Sequence, residues 1–130
     1  MRQVNIGDAN GEPFNRPYTP GTHYKNAQFS IPFVIACALL DGKLEPAQFE
    51  LKRMGAADVQ ELQQRVRVVF DPNRNAAITG ELQPAILRIR TRAGDLVESS
   101  LDSPLGAPLT PLTQSQIEEK FRRWTSAAFT

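Results

Sequence analysis

The segment from Ala27 to Gly42, AQFSIPFVIACALLDG, constrains this chain more than any other. Ser30 can cap a helix, Pro32 is tolerated in a first turn, and Gly42 can end it in the left-handed conformation. From Ile31 to Leu40 every side chain is apolar or small, so the helix has no polar face to turn to water. Full burial of Ile31, Phe33, Val34, Ile35, Leu39 and Leu40 contributes roughly 1.5–3 kcal/mol each. Leaving half of that exposed would forfeit an amount comparable to a small domain's whole stability, about 5–15 kcal/mol. The sequence therefore predicts a helix covered on all sides. A bilayer span needs about 20 apolar residues, so the cover has to be protein.

The rest of the chain mixes helical and strand signals. Val4 and Ile6 alternate within Met1–Ala9 as a short edge strand would, and the Gly-, Pro- and Asn-rich stretch from Asn10 to Tyr24 reads as a loop. Glu45-Pro46 can open a second helix that runs to about Arg53 and stops at Gly55. Asp58 and Glu61 have capping-box spacing, and Val59, Leu62 and Val66 share a helical face. Residues 66–70 alternate as a strand ended by Asp71-Pro72, and 73–83 has no regular pattern. Ala85–Arg90 and Asp95–Leu101 flank Ala93-Gly94 as the two arms of a hairpin. A proline-rich loop from Ser103 to Leu112 leads to Thr113 and Gln116, a second capping-box pair. Ile117, Phe121, Trp124 and Ala128 then form one helical stripe. Without a repeating strand–helix–strand pattern, the class is α+β: a small antiparallel sheet packed with helices, including the apolar helix at about 31–40.

At 130 residues the chain fits one domain, 1–130. A net charge of +1 gives no electrostatic case for nucleic acid or an anionic membrane. No signal-peptide pattern opens the sequence, so the expected location is the cytoplasm. One cysteine allows no internal disulfide, and one cysteine with one histidine gives no zinc-ligand spacing. Cys37, inside the apolar helix, reads as a buried and inert thiol. No metal and no cofactor are expected.

Candidate chemistry gathers in the loop before the apolar helix. His23 can exchange protons near neutral pH, with Tyr18 beside it, while Arg16 and Lys25 can hold carboxylates. The plainer reading is a polar surface loop. Arg65 and Arg67 with Arg88, Arg90 and Arg92 would make a basic sheet face if all lie on strands; a solvated face opposite the core is the simpler account. Glu118 and Glu119 are helix neighbours that point apart, so they are no acid–base pair. Trp124 belongs to the apolar stripe and reads as a packing residue.

Several blocks, in order, carry a family resemblance. Arg16-Pro17, Ala27-Gln28-Phe29-Ser30 and Leu40-Asp41-Gly42 come first. Val59 and Leu62 leading into Val66-Arg67-Val68 follow. Pro104-Leu105-Gly106, Thr110-Pro111-Leu112 and Ile117–Arg122 complete the set. Together they resemble the second, C-terminal domain of the MmgE/PrpD family, which includes 2-methylcitrate dehydratase, cis-aconitate decarboxylase and iminodisuccinate epimerase. The resemblance implies an α+β domain that meets a larger helical domain across an active cleft. It implies proton abstraction beside a carboxylate of a di- or tricarboxylic acid, without an iron–sulfur cluster or nicotinamide. Most acid–base residues of the family lie in the helical domain, which these residues do not include. Arg16, Pro17 and Ser30 transfer directly to the cleft-facing loop, and Tyr18, His23 and Lys25 follow by proximity. Two positions depart from the decarboxylase branch: Pro13 stands where it has tyrosine, and Phe29 where it has histidine.

The sequence thus reads as the second domain of an MmgE/PrpD-like lyase or isomerase, a fragment or a split subunit. It is expected to contribute Arg16, Lys25 and Ser30 to substrate binding, with His23 and Tyr18 as candidate acid–base groups, and to be inactive alone. Expected partners are a second copy of the chain or a helical MmgE/PrpD-type domain in trans, together with a small polycarboxylate. The alternative is a stand-alone protein-interaction module without catalysis. An independent enzyme built on the Arg16–Lys25 loop is the third reading.

Overall fold

The computed structural model describes residues 14–69, 84–126 and 128. They fall in two compact units, residues 1–70 and 71–130. The first unit is helical where described. A loop leads from Phe14 to α1 (Tyr24–Gln28) and α2 (Ile31–Asp41); a 3-10 turn (Pro46–Phe49), α3 (Leu51–Met54) and α4 (Ala57–Gln63) follow. In the second unit β1 (Ala85–Arg90) pairs antiparallel with β2 (Leu96–Leu101), and α5 (Gln114–Thr125) follows. The class is α+β, with five α-helices and one two-stranded antiparallel sheet among the described residues. The expected edge strand in residues 1–9, the start of the loop at Asn10 and the irregular stretch at 73–83 lie outside those residues.

The ends of α2 are set by the residues that predict them. Ser30 Oγ accepts from Phe33 N at 3.3 Å, and Pro32 sits in the first turn. Gly42 closes the helix at φ +69°, the left-handed region that costs glycine little and other residues more. Phe33, Ala36 and Cys37 are buried and pack with Tyr18, Ala27, Met54 and Val59 as the core of the unit. The Phe33 ring meets the edge of Tyr18 at 5.6 Å and lies 5.8 Å from Phe49. The sequence predicts cover on every side of α2, and among the described residues it is buried on one face. Ile31, Leu39 and Leu40 are exposed, and the other described helices of the unit, of four to seven residues, are shorter than the eleven-residue α2.

Four further expectations are corrected. No single helix runs from Glu45 to Arg53, since Glu50 adopts an extended conformation (ψ 145°) that divides the 3-10 turn from α3. The capping box belongs to Glu45 and Gln48, not to Asp58 and Glu61. Asp58 lies inside the first turn of α4, and its carboxylate binds Arg53 and the Val59 amide instead. Residues 66–69 form no strand, and Phe70 lies outside the described residues. The loop through Tyr24 is also shorter than predicted, because α1 begins there.

The hairpin forms as its alternation requires. Ala85 faces Leu101 and Arg90 faces Leu96, with Gly94 at φ +96° donating to Thr91 O at 3.1 Å to close the turn. Arg88 pairs with Glu98 directly across the sheet. Thr113 and Gln116 make the reciprocal capping box that starts α5. Ile117, Phe121 and Trp124 share a face of α5, and all three are exposed. No helix among the described residues is long and apolar enough to cross a membrane.

Candidate functional site

The Arg16–Lys25 loop is tied down at several points. Ser30 Oγ donates to Arg16 O at 2.6 Å, so one hydroxyl caps α2 and anchors the loop. Ile31 N donates to Phe14 O at 2.9 Å, and the Phe14 ring stacks on Phe29 at 5.2 Å. Tyr18 N donates to Gln63 Oε1 at 2.8 Å, while Gln63 Nε2 donates back to Tyr18 O at 2.9 Å. Tyr18 Oη donates to Thr22 O at 3.2 Å, across a turn closed by Thr22 N and Oγ1 on Thr19 O. The chain then enters α1 at His23, whose Nδ1 accepts from Lys25 N at 3.1 Å.

These bonds sort the sequence candidates by what each side chain is already doing. Tyr18 is buried, with its ring in the core and its hydroxyl on the Thr22 carbonyl. Ser30 is buried, with its oxygen used as both donor and acceptor. Arg16, His23 and Lys25 are exposed. His23 lies against Tyr24, with ring centres 4.5 Å apart, and its role as acceptor requires the proton on Nε2. The loop thus presents two cations and one imidazole from a main chain fixed to the core. Guanidinium, ammonium and imidazole groups are each of a type that can meet a carboxylate.

Of the five arginines considered as a basic face, Arg65 and Arg67 lie beyond the end of α4 and not on a strand. Arg65 pairs with Glu61. Arg88 and Arg90 share one face of the hairpin, where Glu98 neutralises the first.

Sequence reasoning missed two features, one at the loop and one at the ends of the helices. Gln63, fully buried, lies one helical turn beyond Val59 on the same inward face of α4. A polar residue on that face is the only signal for the clamp, whose partner is 45 positions away. The second is a charged cluster in which Arg53 binds both Asp41 and Asp58. Hydrogen bonds from Arg53 lower the pKa of both carboxyls, and those carboxylates in turn raise that of the guanidinium. Cys37 is buried, and desolvation raises its thiol pKa to about 11, the opposite of what a nucleophile needs. No group of three His, Cys, Asp or Glu among the described residues could hold a metal ion.

No curated protein matches the chain. The family model of the MmgE/PrpD C-terminal domain matches residues 4–130, a span that takes in the pinned loop, the apolar helix, the hairpin and α5. The chain belongs to the MmgE/PrpD family, and its residues are those of the family's C-terminal domain.

Proposed function

We propose that this domain forms one wall of a cleft for di- and tricarboxylic acids, completed by a helical MmgE/PrpD-type domain, in a lyase or isomerase. Arg16 and Lys25 bind substrate carboxylates, and His23 is the acid–base group of this wall. Ser30 and Tyr18 act through the loop they hold, since their hydroxyls are already hydrogen-bonded within it. The observation that carries this reading is the contrast within one loop: a main chain bonded to buried side chains and cationic side chains left exposed. Dehydration, decarboxylation or epimerisation beside a carboxylate needs a positioned base, an acid and several anion clamps. One histidine does not supply that set, so the chain is inactive alone and works in the cytoplasm with its helical partner domain.

The test is reconstitution with a helical domain from the family, assayed on 2-methylcitrate, cis-aconitate and iminodisuccinate. Turnover is expected only from the combination, with Arg16→Ala and Lys25→Ala raising KM. Turnover by this chain alone, abolished by His23→Ala, would overturn the shared-cleft reading in favour of an independent site.

A second reading, a protein-interaction module without catalysis, draws on a different observation. The α5 stripe of Ile117, Phe121 and Trp124 is exposed, as are Ile31, Leu39 and Leu40 on α2. Apolar surface of this kind marks association in soluble proteins. Under either reading we assign these faces to assembly, with a second copy of the chain or with the helical domain. Tight binding of a helical domain without any turnover would favour the module.

A further inference from the structure

Gln63 uses both ends of its amide on the main chain of one distant residue. Oε1 accepts from Tyr18 N, and Nε2 donates to Tyr18 O and also to Gln60 Oε1, 2.8 Å away. Gln60 is oriented in turn, because its own Nε2 donates to Met54 O at 2.8 Å. On the other side of Pro17, Ser30 Oγ holds Arg16 O. Proline has a fixed φ and no amide hydrogen, so two side chains and one ring determine the path of Arg16-Pro17-Tyr18.

An apolar side chain would fill the Gln63 position without any need for hydrogen bonds, since Val59 and Met54 already make this region apolar. Glutamine is useful there only for what it binds. It offers an acceptor and two donors at a reach that glutamate cannot imitate when ionised. The clamp also propagates. Tyr18 Oη holds Thr22 O, the Thr19–Thr22 turn is closed on itself, and His23 follows as the cap of α1.

We propose that Gln63 is a positioning residue whose clamp on Tyr18, relayed through Thr22, fixes where the loop presents Arg16 and His23 to a carboxylate ligand. The proposal rests on the reading of this loop as a carboxylate-binding surface. It concerns a residue outside the loop that touches no ligand.

Three variants of the 130-residue chain test it by amide hydrogen exchange, expressed as protection factors, and by citrate titration followed through backbone NMR shifts. Gln63→Glu keeps the shape and the acceptor but sets an ionised oxygen against Tyr18 O and Gln60 Oε1. At pH 7.5 its protection at Tyr18, Thr22 and Lys25 should fall about tenfold or more, with Ala36 and Cys37 retained. Acidification should restore it at Tyr18 and Thr22 as the new carboxyl gains a proton and again donates; Lys25 is read only at pH 7.5, because its amide acceptor, His23 Nδ1, can itself take a proton in acid. Gln63→Leu should show the same loss with no recovery at any pH. Tyr18→Phe, which keeps the core ring, should loosen Thr22 and Lys25 and leave the Tyr18 amide protected; it decides the relay even if the Gln63 variants fail to fold. Citrate should shift the Arg16 and Lys25 amides of the wild type and bind Gln63→Glu at least about threefold more weakly at pH 7.5. Unchanged protection in the loop, or a loss spread evenly over residues 14–69, would overturn the proposal. So would equal citrate affinity after loop protection is lost. A wild type that citrate does not shift would refute the carboxylate reading of the loop, while the protection factors would still decide the clamp.

Discussion

Arg53 grips Asp41 with two nitrogens, Nε on Oδ2 at 2.9 Å and Nη2 on Oδ1 at 2.6 Å. Asp41 is the last residue of α2, where a negative charge opposes the helix dipole. The same guanidinium reaches Asp58 in the first turn of α4 through Nη1, and Gln48 Nε2 adds a bond to Asp41 Oδ2 at 3.1 Å. The cation therefore joins the end of α2, α3 and the start of α4, and Gln48 brings in the 3-10 turn through Asp41. Helices of four and seven residues are too short to persist by themselves, so connections of this kind decide whether they form.

Removing that cation should show in the pH dependence of stability. Both aspartates have folded-state pKa values below the ordinary carboxylate range, with the Arg53 hydrogen bond as the main cause. A depressed carboxyl contributes stability that is fully present above its unfolded pKa and lost as pH falls through its folded value. Arg53→Ala should lower the melting temperature by several degrees at pH 7. The gap from the wild type should narrow below about pH 4, where the carboxyls protonate. Thermal melts of both proteins from pH 7 to pH 2.5 measure this, and a gap that widens in acid would contradict it.

The two faces of α2 should respond differently to mutation. Phe33 is fully buried between Tyr18 and Phe49, so Phe33→Ala should cost about 3–5 kcal/mol. Leu39 is 45% exposed, so in the isolated chain Leu39→Ser should change stability by only about 0.5 kcal/mol. Urea denaturation of the two variants separates a one-sided helix from one enclosed all round.

Local signals were legible where a residue's neighbours in sequence are also its partners in space. Ser30 and Gly42 delimit α2, Gly94 turns the hairpin, and Thr113 with Gln116 starts α5, each acting within a few residues. The same local spacing misled at Asp58 and Glu61, because Arg53 claims the Asp58 carboxylate from five positions away. It misled again at 45–53, where Gln48 caps the Glu45 amide and turns its own amide to Asp41. Of the loop candidates, the residue types and their place before α2 were readable. The Gln63 clamp was not, since it joins residues 45 apart and a glutamine carries no motif of its own.

Cys37 should be unreactive in the folded protein. Burial raises its thiol pKa to about 11, so at pH 8 almost none is thiolate. A disulfide reagent should give no colour with the native chain and one equivalent after denaturation. Rapid labelling at pH 8 without unfolding would mean that the core around Phe33 opens.

Ser30→Ala should cost more than a cap alone. The hydroxyl accepts from Phe33 N and donates to Arg16 O, so alanine removes a helix cap and the anchor before Pro17 together. Loss of an N-cap costs about 0.5–2 kcal/mol, and a further hydrogen bond adds about 1 kcal/mol. Ser30→Thr keeps both functions of the oxygen and should recover most of the loss in urea titrations.

The last prediction concerns association through α5. None of its residues is buried, yet Ile117 is 50%, Phe121 64% and Trp124 53% exposed on one stripe. Twelve residues are marginal for an isolated helix in water, even with the Thr113 capping box and the Glu118–Arg122 and Glu119–Arg123 pairs. Packing of that stripe against another surface would supply the missing stabilisation. Lys120 Nζ lies 5.6 Å from the centre of the Trp124 ring, and its stem extends the apolar patch while its charge stays in water. Aromatic anchors of this kind cost upwards of about 2 kcal/mol when truncated at an interface. Sedimentation velocity at micromolar concentration should show a species larger than the 14.5 kDa monomer. Trp124→Ala should move it toward monomer, with any loss of far-ultraviolet circular dichroism limited to the share that the twelve residues of α5 carry. A wild type that stays monomeric would exclude the second copy as partner, and failure to bind a helical MmgE/PrpD domain as well would remove α5 from assembly altogether.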